Sequence, residues 1–460
     1  MKVKDLRDED LKRYILAKVE AFKRDLAHKR LGMDYYDGQQ EILKKQRTAI
    51  GEDGRTKIIQ NLPNARLLDN QYKKAVDQKV NYLFSDLPAI KGEGENDPLA
   101  EKVSDLMDKR FLRTLNKIAK DAYNAGIAWL YAYTDGKDLM YKKLDPLEII
   151  PIWEDNNHES LEAVIQLYTD TDFEMGREVE REQIRFFTDE KIRVYDLKGG
   201  DLELVEETGY IQNNNSWYNF GRIPFIYFKT PTEKSLVFEV KCLQDALNII
   251  LSNFQDNMLE DPRNTILVLK NYDGEDLGTF RQQLATYSTI KIEDYDGTRG
   301  GVDTLEVHVN HENYETIIRL LKKCIKENCR IVDLDNDRGS NPNTLNIQAM
   351  YSDMELDANQ LELEFSASLE YFMELVKQVY RLDGKINISF KRNIMVNQES
   401  VVNMIRASVG LVSEETLRAK HPLVEDAQEE EERIQRERKE ALGQMTGYDF
   451  GAGHDHGQDE

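Results

Sequence analysis

Two long helix-like segments that enclose a short run of strands and turns limit the possible folds of this 460-residue chain more than any other pattern in it. Residues 231–262 and 311–332 both repeat apolar side chains at spacings of three and four, which is typical of amphipathic helices. Between them, "NTILVLKNYDG" and "YSTIKIEDYDG" combine strand-forming residues with turn residues. The sequence therefore predicts two helices that bracket a small inserted domain over residues 263–310.

The first of these helices carries a start signal and a stop signal. Thr230 is a suitable N-cap residue, Pro231 suits the first helical position, and Glu233 follows the cap at the spacing of a capping box. Pro262 ends the segment, because proline cannot continue a helix. A helix over this segment would be on the order of 40 Å long.

The rest of the chain divides into helical and strand-rich segments. Helical periodicity runs to about residue 130, with a break at "GMDYYDGQQEIL" and a stop at Gly126. Strand-forming runs separated by turns such as "EDNNHES" then predict an antiparallel meander. Pro146 and Pro151 place "LDPLEIIPIWED" at an edge or bend of that sheet, because proline cannot donate to a strand ladder. A long helix over residues 347–381, the strand-like "KINISFKRNIMV" and a further helical segment complete an α+β, multidomain prediction.

Composition and charge disfavour several classes of protein. The formal net charge of -23 argues against tight binding to nucleic acid, although it does not exclude DNA that passes without sticking. Three cysteines form no C-x-x-C pair, so neither a disulfide framework nor a zinc site is indicated. The charged start "MKVKDLRDED" is unlike a signal peptide, and no apolar run has the length of a membrane span. We therefore expect a cytoplasmic protein that does not enter a membrane.

The helix-like segment at 311–332 has a basic side. On a helical wheel at about 100° per residue, the apolar side chains that share one side are Ile317, Leu321, Cys324, Ile325 and Val332. The basic side chains on the other side are Arg319, Lys322, Lys323, Lys326 and Arg330. These cations could face DNA. They could also form an ordinary solvated face, because Glu312, Glu315 and Glu327 are interspersed among them.

A turn-rich loop, "DLDNDRGSNPNTLN", follows at residues 333–346. Asp333, Asp335 and Asp337 alternate as in a calcium-binding loop, but the glycine comes one position late and Thr344 stands where a bidentate glutamate is needed. A two-metal nuclease site is also disfavoured, because its ligands usually converge from rigid elements. The composition instead indicates a mobile connection.

Other candidate sites are weak. The tail "GYDFGAGHDHGQDE" holds His454 and His456, but its composition predicts a disordered, solvated segment. Tyr35, Tyr36 and Trp153 could stack on nucleic-acid bases, although aromatic residues beside apolar runs more often belong to a core. The sequence has no phosphate-binding glycine loop and no nucleophile-elbow motif. We therefore expect no catalytic residues, no metal site and no cofactor.

Three segments, taken in order, carry a resemblance to a known family. They are "DYYDGQQEIL", "NARLLDNQYKKAVDQKVNYLFSDLP" and "NAGIAWLYAYTDGKDLMYKKLDPLEIIPIWED". In series they resemble the portal proteins of tailed bacteriophages that have long non-contractile tails and infect Gram-positive bacteria. The resemblance covers about residues 30–400 and leaves out both ends. One departure is Ser85 with Asp86 after "YLF", where the family pattern has a glycine before the proline.

The resemblance implies a portal fold with a wing, a two-helix stem, a small α/β clip, a tunnel loop and a helical crown. The corresponding segments are an N-terminal helical segment at 1–48, the wing at 49–230, stem helices at 231–262 and 311–332, the clip at 263–310, the tunnel loop at 333–346, a long helix and returning wing strand at 347–397, the crown at 398–442 and a disordered tail at 443–460. The tunnel-loop candidates are Asp333, Asp335, Asn336, Asp337, Arg338, Asn341 and Asn343. The basic residues of the second stem helix become candidates for facing the channel, with salt bridges between subunits as the rival interpretation.

The implied function is mechanical. About twelve subunits would form a ring at one capsid vertex, as the channel for packaging and ejecting double-stranded DNA. The implied partners are the terminase large subunit, the major capsid and scaffolding proteins and a head-tail adaptor, in the virion and, during assembly, in the host cytoplasm. An acidic chain fits this role, because a channel that bound phosphate tightly would retard the DNA. Two alternatives stay open, namely a helical scaffold or adaptor that does not handle DNA and a metal-dependent DNA-processing enzyme.

Overall fold

The computed structural model describes residues 2–50, 54–60, 62–92, 94, 97–134, 138–174, 177–213, 216–260, 265–270, 301–306, 311–333, 344–392, 398–421, 423–424 and 427–446. Helices and antiparallel sheets are both present, in agreement with the α+β prediction. The chain forms two compact units. The first comprises residues 1–332 and 353–393, and the second comprises residues 333–352 and 394–460.

The helices that the structure describes are α1 (Asp8–Tyr36), α2 (Gln71–Leu83), α3 (Pro98–Leu106), α4 (Lys109–Ala125), α5 (Val237–Glu260), α6 (His311–Asn328), α7 (Thr344–Tyr380), α8 (Gln398–Ala407), α9 (Glu414–Ala419) and α10 (Ala427–Thr446). Polar side chains cap several of them, and three of these caps lie in the first unit. Asn70, Asp97 and Asp108 accept hydrogen bonds from backbone N–H groups in the first turns of α2, α3 and α4. Gly126 ends α4 with a φ of 87°, as its place in the sequence predicts.

The break predicted at "GMDYYDGQQEIL" is wrong for its first residues, because α1 continues through Gly32 to Tyr36. A Cβ atom at Gly32 would lie 2.0 Å from the carbonyl oxygen of Asn124 and 2.2 Å from Ser235 Oγ. Glycine is therefore needed at this position for a close approach between α1 and two other segments, and not for a turn.

The described strands are β1 (Thr48–Ile50), β2 (Thr56–Ile58), β3 (Ala89–Lys91), β4 (Ile127–Thr134), β5 (Leu139–Leu144), β6 (Ile149–Trp153), β7 (Leu161–Glu174), β8 (Arg177–Phe187), β9 (Ile192–Lys198), β10 (Asp201–Thr208), β11 (Ile211–Asn213), β12 (Ser216–Tyr218), β13 (Phe225–Lys229), β14 (Thr265–Lys270), β15 (Gly301–Glu306) and β16 (Asn387–Ser389). The meander prediction is confirmed for β6 to β10, which form a five-stranded antiparallel sheet in sequence order, but not for β4 and β5, which belong to a different sheet. A second sheet has the strand order β13-β4-β5.

The edge position predicted from two prolines is also confirmed. β6 is an outer strand of the five-stranded sheet, and Pro151 lies opposite Val164 of β7 in its ladder. Pro146 lies just before this strand, in a short 3-10 helix that begins after Asp145. An outer strand tolerates proline because one side of its backbone needs no ladder partner.

Three hydrophobic cores lie among the described residues of the first unit. One joins the two sheets through residues such as Trp129 and Val164, and the other two bring helices onto a sheet. The first half of α1 packs on the five-stranded sheet through Leu11, Ile15, Val19 and Phe22, which repeat at spacings of four and three. The larger core lies where α2, α4, α5 and α7 meet the three-stranded sheet. Its fully buried members include Tyr72, Val76, Phe111, Leu115, Phe228, Leu247, Phe365 and Phe372.

The start of α5 differs from its prediction. The helix begins at Val237, and Pro231 and Glu233 precede it. The N–H of Glu233 donates to the Thr230 carbonyl at 2.9 Å, and Glu233 has a φ of 54°. This turn replaces the predicted capping box, because a residue with that backbone cannot lie in the first turn of a right-handed helix. Ser235 Oγ instead accepts a hydrogen bond from the N–H of Val237.

The inserted segment and its flanks are described in part. β14 and β15 pair as antiparallel strands, in agreement with the strand predicted at "NTILVLKNYDG", whereas "YSTIKIEDYDG" lies outside the described residues. α6 ends at Asn328, four residues before the predicted end. The returning strand β16 pairs with β3. In the second unit, three helices follow residue 397, and α10 continues to Thr446, past the predicted start of the tail.

Candidate functional site

The two candidate stem helices lie against each other in the first unit. The rings of Phe254 on α5 and Tyr314 on α6 have centroids 5.0 Å apart, and Asn257 Nδ2 donates to Tyr314 Oη at 2.9 Å. The ring of His311 meets Phe254 edge-on at 5.8 Å. Aromatic contacts of this kind stabilise a pair beyond the area that they bury. The two helices therefore form one paired element.

The buried side of α6 is not quite the one that the helical wheel predicted. Ile325 is buried as expected, and Leu321 packs against the core. Ile317, however, is 43% exposed, and Ile318 takes its place against the core. Cys329, just beyond the helix, is fully buried, and burial raises its thiol pKa to about 12. The predicted side differs from the buried one because a helical wheel does not include the position of the neighbouring helix α5.

The five basic residues of this segment have different surroundings. Lys322 Nζ lies 2.7 Å from an Asp69 carboxylate oxygen, and Lys323 Nζ lies 3.6 Å from Glu327. An Arg330 guanidinium nitrogen lies 3.9 Å from an Asp357 carboxylate oxygen. Arg330 itself lies beyond the end of the helix and has a φ of 52°. The remaining two are Lys326, which is buried, and Arg319, which is exposed. Lys326 is therefore removed from the channel-facing candidates, because a side chain buried in its own subunit cannot line a channel.

The loop predicted at 333–346 is described at its two ends. Asp333 is its first residue, and Thr344 begins α7. Residues 344–346 are therefore helical and do not belong to the loop. The other tunnel-loop candidates lie outside the described residues, namely Asp335, Asn336, Asp337, Arg338, Asn341 and Asn343.

A ladder of polar side chains along α5 was missed from the sequence. Its members, Gln244, Asn248, Ser252 and Asp256, recur every fourth residue and are at most 3% exposed. They hold an extended segment, residues 64–71, which we call the strap. The backbone N–H groups of Ala65, Leu67, Asp69 and Gln71 donate to Asp256, Ser252, Asn248 and Gln244 at 2.6, 2.9, 3.0 and 3.0 Å.

The ladder works because the two backbones have matching repeats. Four residues of an α-helix rise about 6.0 Å, and two residues of an extended chain rise about 6.6 Å. Every fourth side chain of α5 therefore meets every second N–H of the strap. The signal in the sequence was a polar stripe at helical spacing on an otherwise apolar helix, "QDALNIILSNFQD". Its partner could not be found, because main-chain donors leave no pattern in the side chains of the strap.

A buried lysine lies where α2 meets α7. Lys79 Nζ is 2.6 Å from an Asp357 carboxylate oxygen, and its side chain is 2% exposed. Tyr123 Oη donates to the same oxygen at 3.3 Å, and burial raises the pKa of this tyrosine well above its usual value. Removing either partner of such a pair lowers the stability of the protein, because the other charge would stay buried without compensation.

The aromatic residues considered as base-stacking platforms belong to the fold. Tyr35 is 1% exposed, and its hydroxyl donates to Asp245 at 2.6 Å. Burial, assisted by that hydrogen bond, raises its pKa to about 12. Tyr36 Oη donates to Asp77 at 2.7 Å, and the Trp153 ring stacks on His158 at 4.9 Å. The core interpretation is therefore the correct one.

Among the described residues, no group of three or more acidic, histidine or cysteine side chains could hold a metal ion. None of the described helices combines the length and the apolar character that crossing a membrane requires.

Comparison with known proteins gives a consistent result over most of the chain. A family model described as "Phage portal protein, SPP1 Gp6-like" matches residues 16–444. The chain is 29% identical over 425 residues to the portal protein of Clostridium phage phiCD119, across 88% of this chain and 91% of the relative. It is 26% identical over 429 residues to the portal protein of Bacillus phage SPP1, across 88% of this chain and 82% of the relative.

Among solved structures, the neck of a native GTA particle computed with C12 symmetry aligns with 77% of this chain and 89% of its own, at 11% identity and a TM-score of 0.40. The relatives from Clostridium and Bacillus phages confirm the resemblance found in the sequence. Because the family model spans nearly the whole chain, this protein belongs to the SPP1 Gp6-like family of phage portal proteins.

Proposed function

We infer that this protein is a portal protein, whose subunits form a ring through which double-stranded DNA is packaged into a phage capsid. The observation that carries this conclusion is the family match over residues 16–444. It includes both candidate stem helices and the whole crown candidate at 398–442. Members of this family have a structural role, which agrees with the expectation that the chain is not an enzyme.

We propose that the parts of the subunit follow the order expected from the family resemblance. The wing would comprise the helices and sheets between residues 49 and 230, and α5 with α6 would form the stem. The paired strands β14 and β15 would belong to the clip. This assignment is supported by the contacts that pair α5 with α6 and by the position of β14 and β15 between these two helices in the sequence.

We propose Arg319 and Lys323 as the cations of α6 that come nearest to passing DNA. Both side chains are exposed in the subunit, whereas Lys322 is held by Asp69. A small number of exposed cations suits a channel in which DNA must slide, because each phosphate contact adds to the affinity and to its dependence on salt. The tunnel loop remains a proposal that rests on the family resemblance and on its turn-forming composition.

From the family resemblance we further propose a ring of about twelve subunits. Head-to-tail contacts between subunits form a closed ring when the rotation from one subunit to the next divides a full turn. Its proposed partners are the terminase large subunit, the major capsid and scaffolding proteins and a head-tail adaptor. The ring would occupy the portal vertex of the virion after assembly in the host cytoplasm. The support for these partners is membership of the portal family.

Native mass spectrometry and negative-stain electron microscopy of the purified protein test the ring. We expect an assembly many times the subunit mass of 53.5 kDa and particles with a central hole. A protein that stays monomeric at all concentrations, with and without scaffolding and capsid proteins, would contradict the proposal. Magnesium-dependent cleavage of DNA by the pure protein would instead favour the enzyme alternative.

A further inference from the structure

We propose that a cleft between two sheets of the first unit, which we call the sheet cleft, binds a phosphate group through Lys142 of β5 and Arg185 of β8. Its walls are the three-stranded sheet of β13, β4 and β5 and the five-stranded sheet of β6 to β10. Free phosphate and the phosphates of DNA share the chemistry that the cleft would recognise. The site belongs to a single subunit, so it goes beyond the proposed portal function.

The two cations extend into the sheet cleft from its opposite walls. The sheets pack on each other through a core that includes Phe187 of β8, and the ring of Tyr131 on β4 lies with its centroid 5.9 Å from that of Phe187. Lys142 lies directly opposite Tyr131 in the ladder of β4 and β5, so both share one face of that sheet. Arg185 precedes Phe187 by two residues and therefore shares its face of β8.

Tyrosine rings hold both cations in place. The guanidinium carbon of Arg185 lies 3.9 Å from the ring centroid of Tyr168 on β7, and Lys142 Nζ lies 5.5 Å from the ring centroid of Tyr131. An aromatic face attracts a cation but carries no formal negative charge. Because a guanidinium is planar, its N–H groups point away from a ring on which it stacks and stay available to an acceptor.

The charges of these two side chains are incompletely balanced. Neither Lys142 nor Arg185 forms an ion pair within the part of the chain that the structure describes. The Nε atom of Arg185 is buried and has no hydrogen-bond partner among the described residues. Burial and the nearby charge of Arg185 lower the pKa of Lys142, and the carboxylate of Glu148 opposes them only in part. Since a buried donor without an acceptor is costly, a bound anion would stabilise this arrangement.

An oxyanion is the class of ligand that fits these groups. Both side chains only donate hydrogen bonds, and their two positive charges outweigh the carboxylate of Glu148, so an anion is favoured over a metal cation. The planar guanidinium matches the geometry of phosphate oxygens, and phosphate has enough oxygens to reach donors on both walls. Lys142 is exposed and Arg185 is half-buried, so an ion can enter from solvent.

Isothermal titration calorimetry of the full chain with inorganic phosphate tests the proposal, with sodium chloride of equal ionic strength as the reference. We expect phosphate to bind, and to bind at least about tenfold more weakly to Lys142→Gln and to Arg185→Gln, because each variant loses a charge-assisted hydrogen bond. If Arg185→Gln does not fold, Lys142→Gln decides the test, since Lys142 is exposed. Lys18→Gln is the matched control. Lys18 Nζ lies 5.4 Å from the ring centroid of Tyr14 on α1, and its loss should leave the affinity unchanged.

A short labelled DNA duplex, followed by fluorescence anisotropy, distinguishes the two sources of phosphate. Duplex that binds through the same two cations and is displaced by inorganic phosphate would assign the sheet cleft to the DNA backbone. Phosphate binding without duplex binding would assign it to the free ion. Either result supports the site.

Three results overturn the proposal. The first is a phosphate titration that releases no more heat than the sodium chloride reference. The second is an equal phosphate affinity in Lys142→Gln and the unchanged protein, which would mean that the ion associates with other cations. The third is phosphate that binds the dissociated subunit but not the assembled ring, which would show that a neighbouring subunit covers the sheet cleft.

Discussion

Lys45 and Asp256 form an ion pair, with Lys45 Nζ 2.7 Å from Asp256 Oδ2, at the C-terminal end of the polar ladder on α5. The Asp256 side chain is 4% exposed, and its other oxygen accepts the N–H of Ala65 at 2.6 Å. One carboxylate therefore joins α5, the strap and the segment that leads to the strap.

Asp256→Ala should destabilise the first unit by about 2 kcal/mol, because it leaves the half-buried Lys45 ammonium without its carboxylate and the Ala65 N–H without its acceptor. Urea unfolding followed by circular dichroism measures the change. Asn253→Ala is the matched control, since Asn253 is an exposed polar residue of the same helix. A loss for Asp256→Ala no larger than that of the control would contradict the role given to this carboxylate.

Proline substitutions test whether the strap is held through its backbone. Leu67→Pro removes the N–H that donates to Ser252 and should cost about 1–3 kcal/mol for the buried acceptor left unpaired. Leu68→Pro is the matched control, because Leu67 and Leu68 are both 39% exposed and Leu68 lies between two bonded N–H groups. Equal losses of thermal stability in the two variants would argue against the ladder.

Gly32→Ala should destabilise the protein although alanine is the better helix former. The new Cβ would lie 2.0 Å from the Asn124 carbonyl oxygen, and forced packing of this kind costs about 1–3 kcal/mol. Helix propensity alone would stabilise the variant by about 1 kcal/mol. Ala27→Gly, at an exposed position of the same helix, calibrates that propensity term. A more stable Gly32→Ala protein would show that α1 and Asn124 do not come this close.

Alkaline pH should unfold the protein through its buried tyrosines. Burial raises the pKa of Tyr131 and of Tyr371 to about 12, whereas an unfolded tyrosine titrates near pH 10.0. The folded state therefore holds these protons more tightly than the unfolded state does. Stability is unaffected below about pH 10 and falls as the pH rises through the interval up to about pH 12. Urea midpoints that stay constant from pH 8 to pH 11 would contradict this prediction.

Shortening residues 336–343 to a brief glycine linker tests the proposed tunnel loop. We expect ring assembly to survive, because few apolar residues are lost, and DNA packaging into proheads to fall. Ring mass and the amount of DNA protected from nuclease are the two measurements. Correctly assembled variant rings that package normally would exclude the tunnel-loop role.

Much of the secondary structure could be predicted from the sequence because local rules decided it. Gly126 ended a helix where its left-handed backbone is tolerated, and Pro151 restricted its strand to the edge of a sheet. The order of the helices, the meander, the two later helices and the insert between them could also be inferred from the sequence. That order supported the resemblance to the portal family.

Contacts between distant segments could not be predicted, because they depend on partners that local periodicity does not specify. Gly32 was read as a break, since its neighbour Asn124 is remote in sequence. Glu233 was read as part of a cap, although its turn is set by Thr230 and by the close approach of Gly126. A helical wheel gives the angle between side chains but not the direction of the neighbouring helix, so Ile317 was placed inside and Lys326 outside.

The sequence by itself therefore determined the family, the element order and the position of the apolar repeats in this chain. Tertiary structure alone decided that the polar stripe from Gln244 to Asp256 binds the backbone of the strap, because main-chain donors are the same for every residue type except proline. It also decided the surroundings of the cations on α6 and just beyond it, because the carboxylates that pair with Lys322 and Arg330 belong to the strap and to α7.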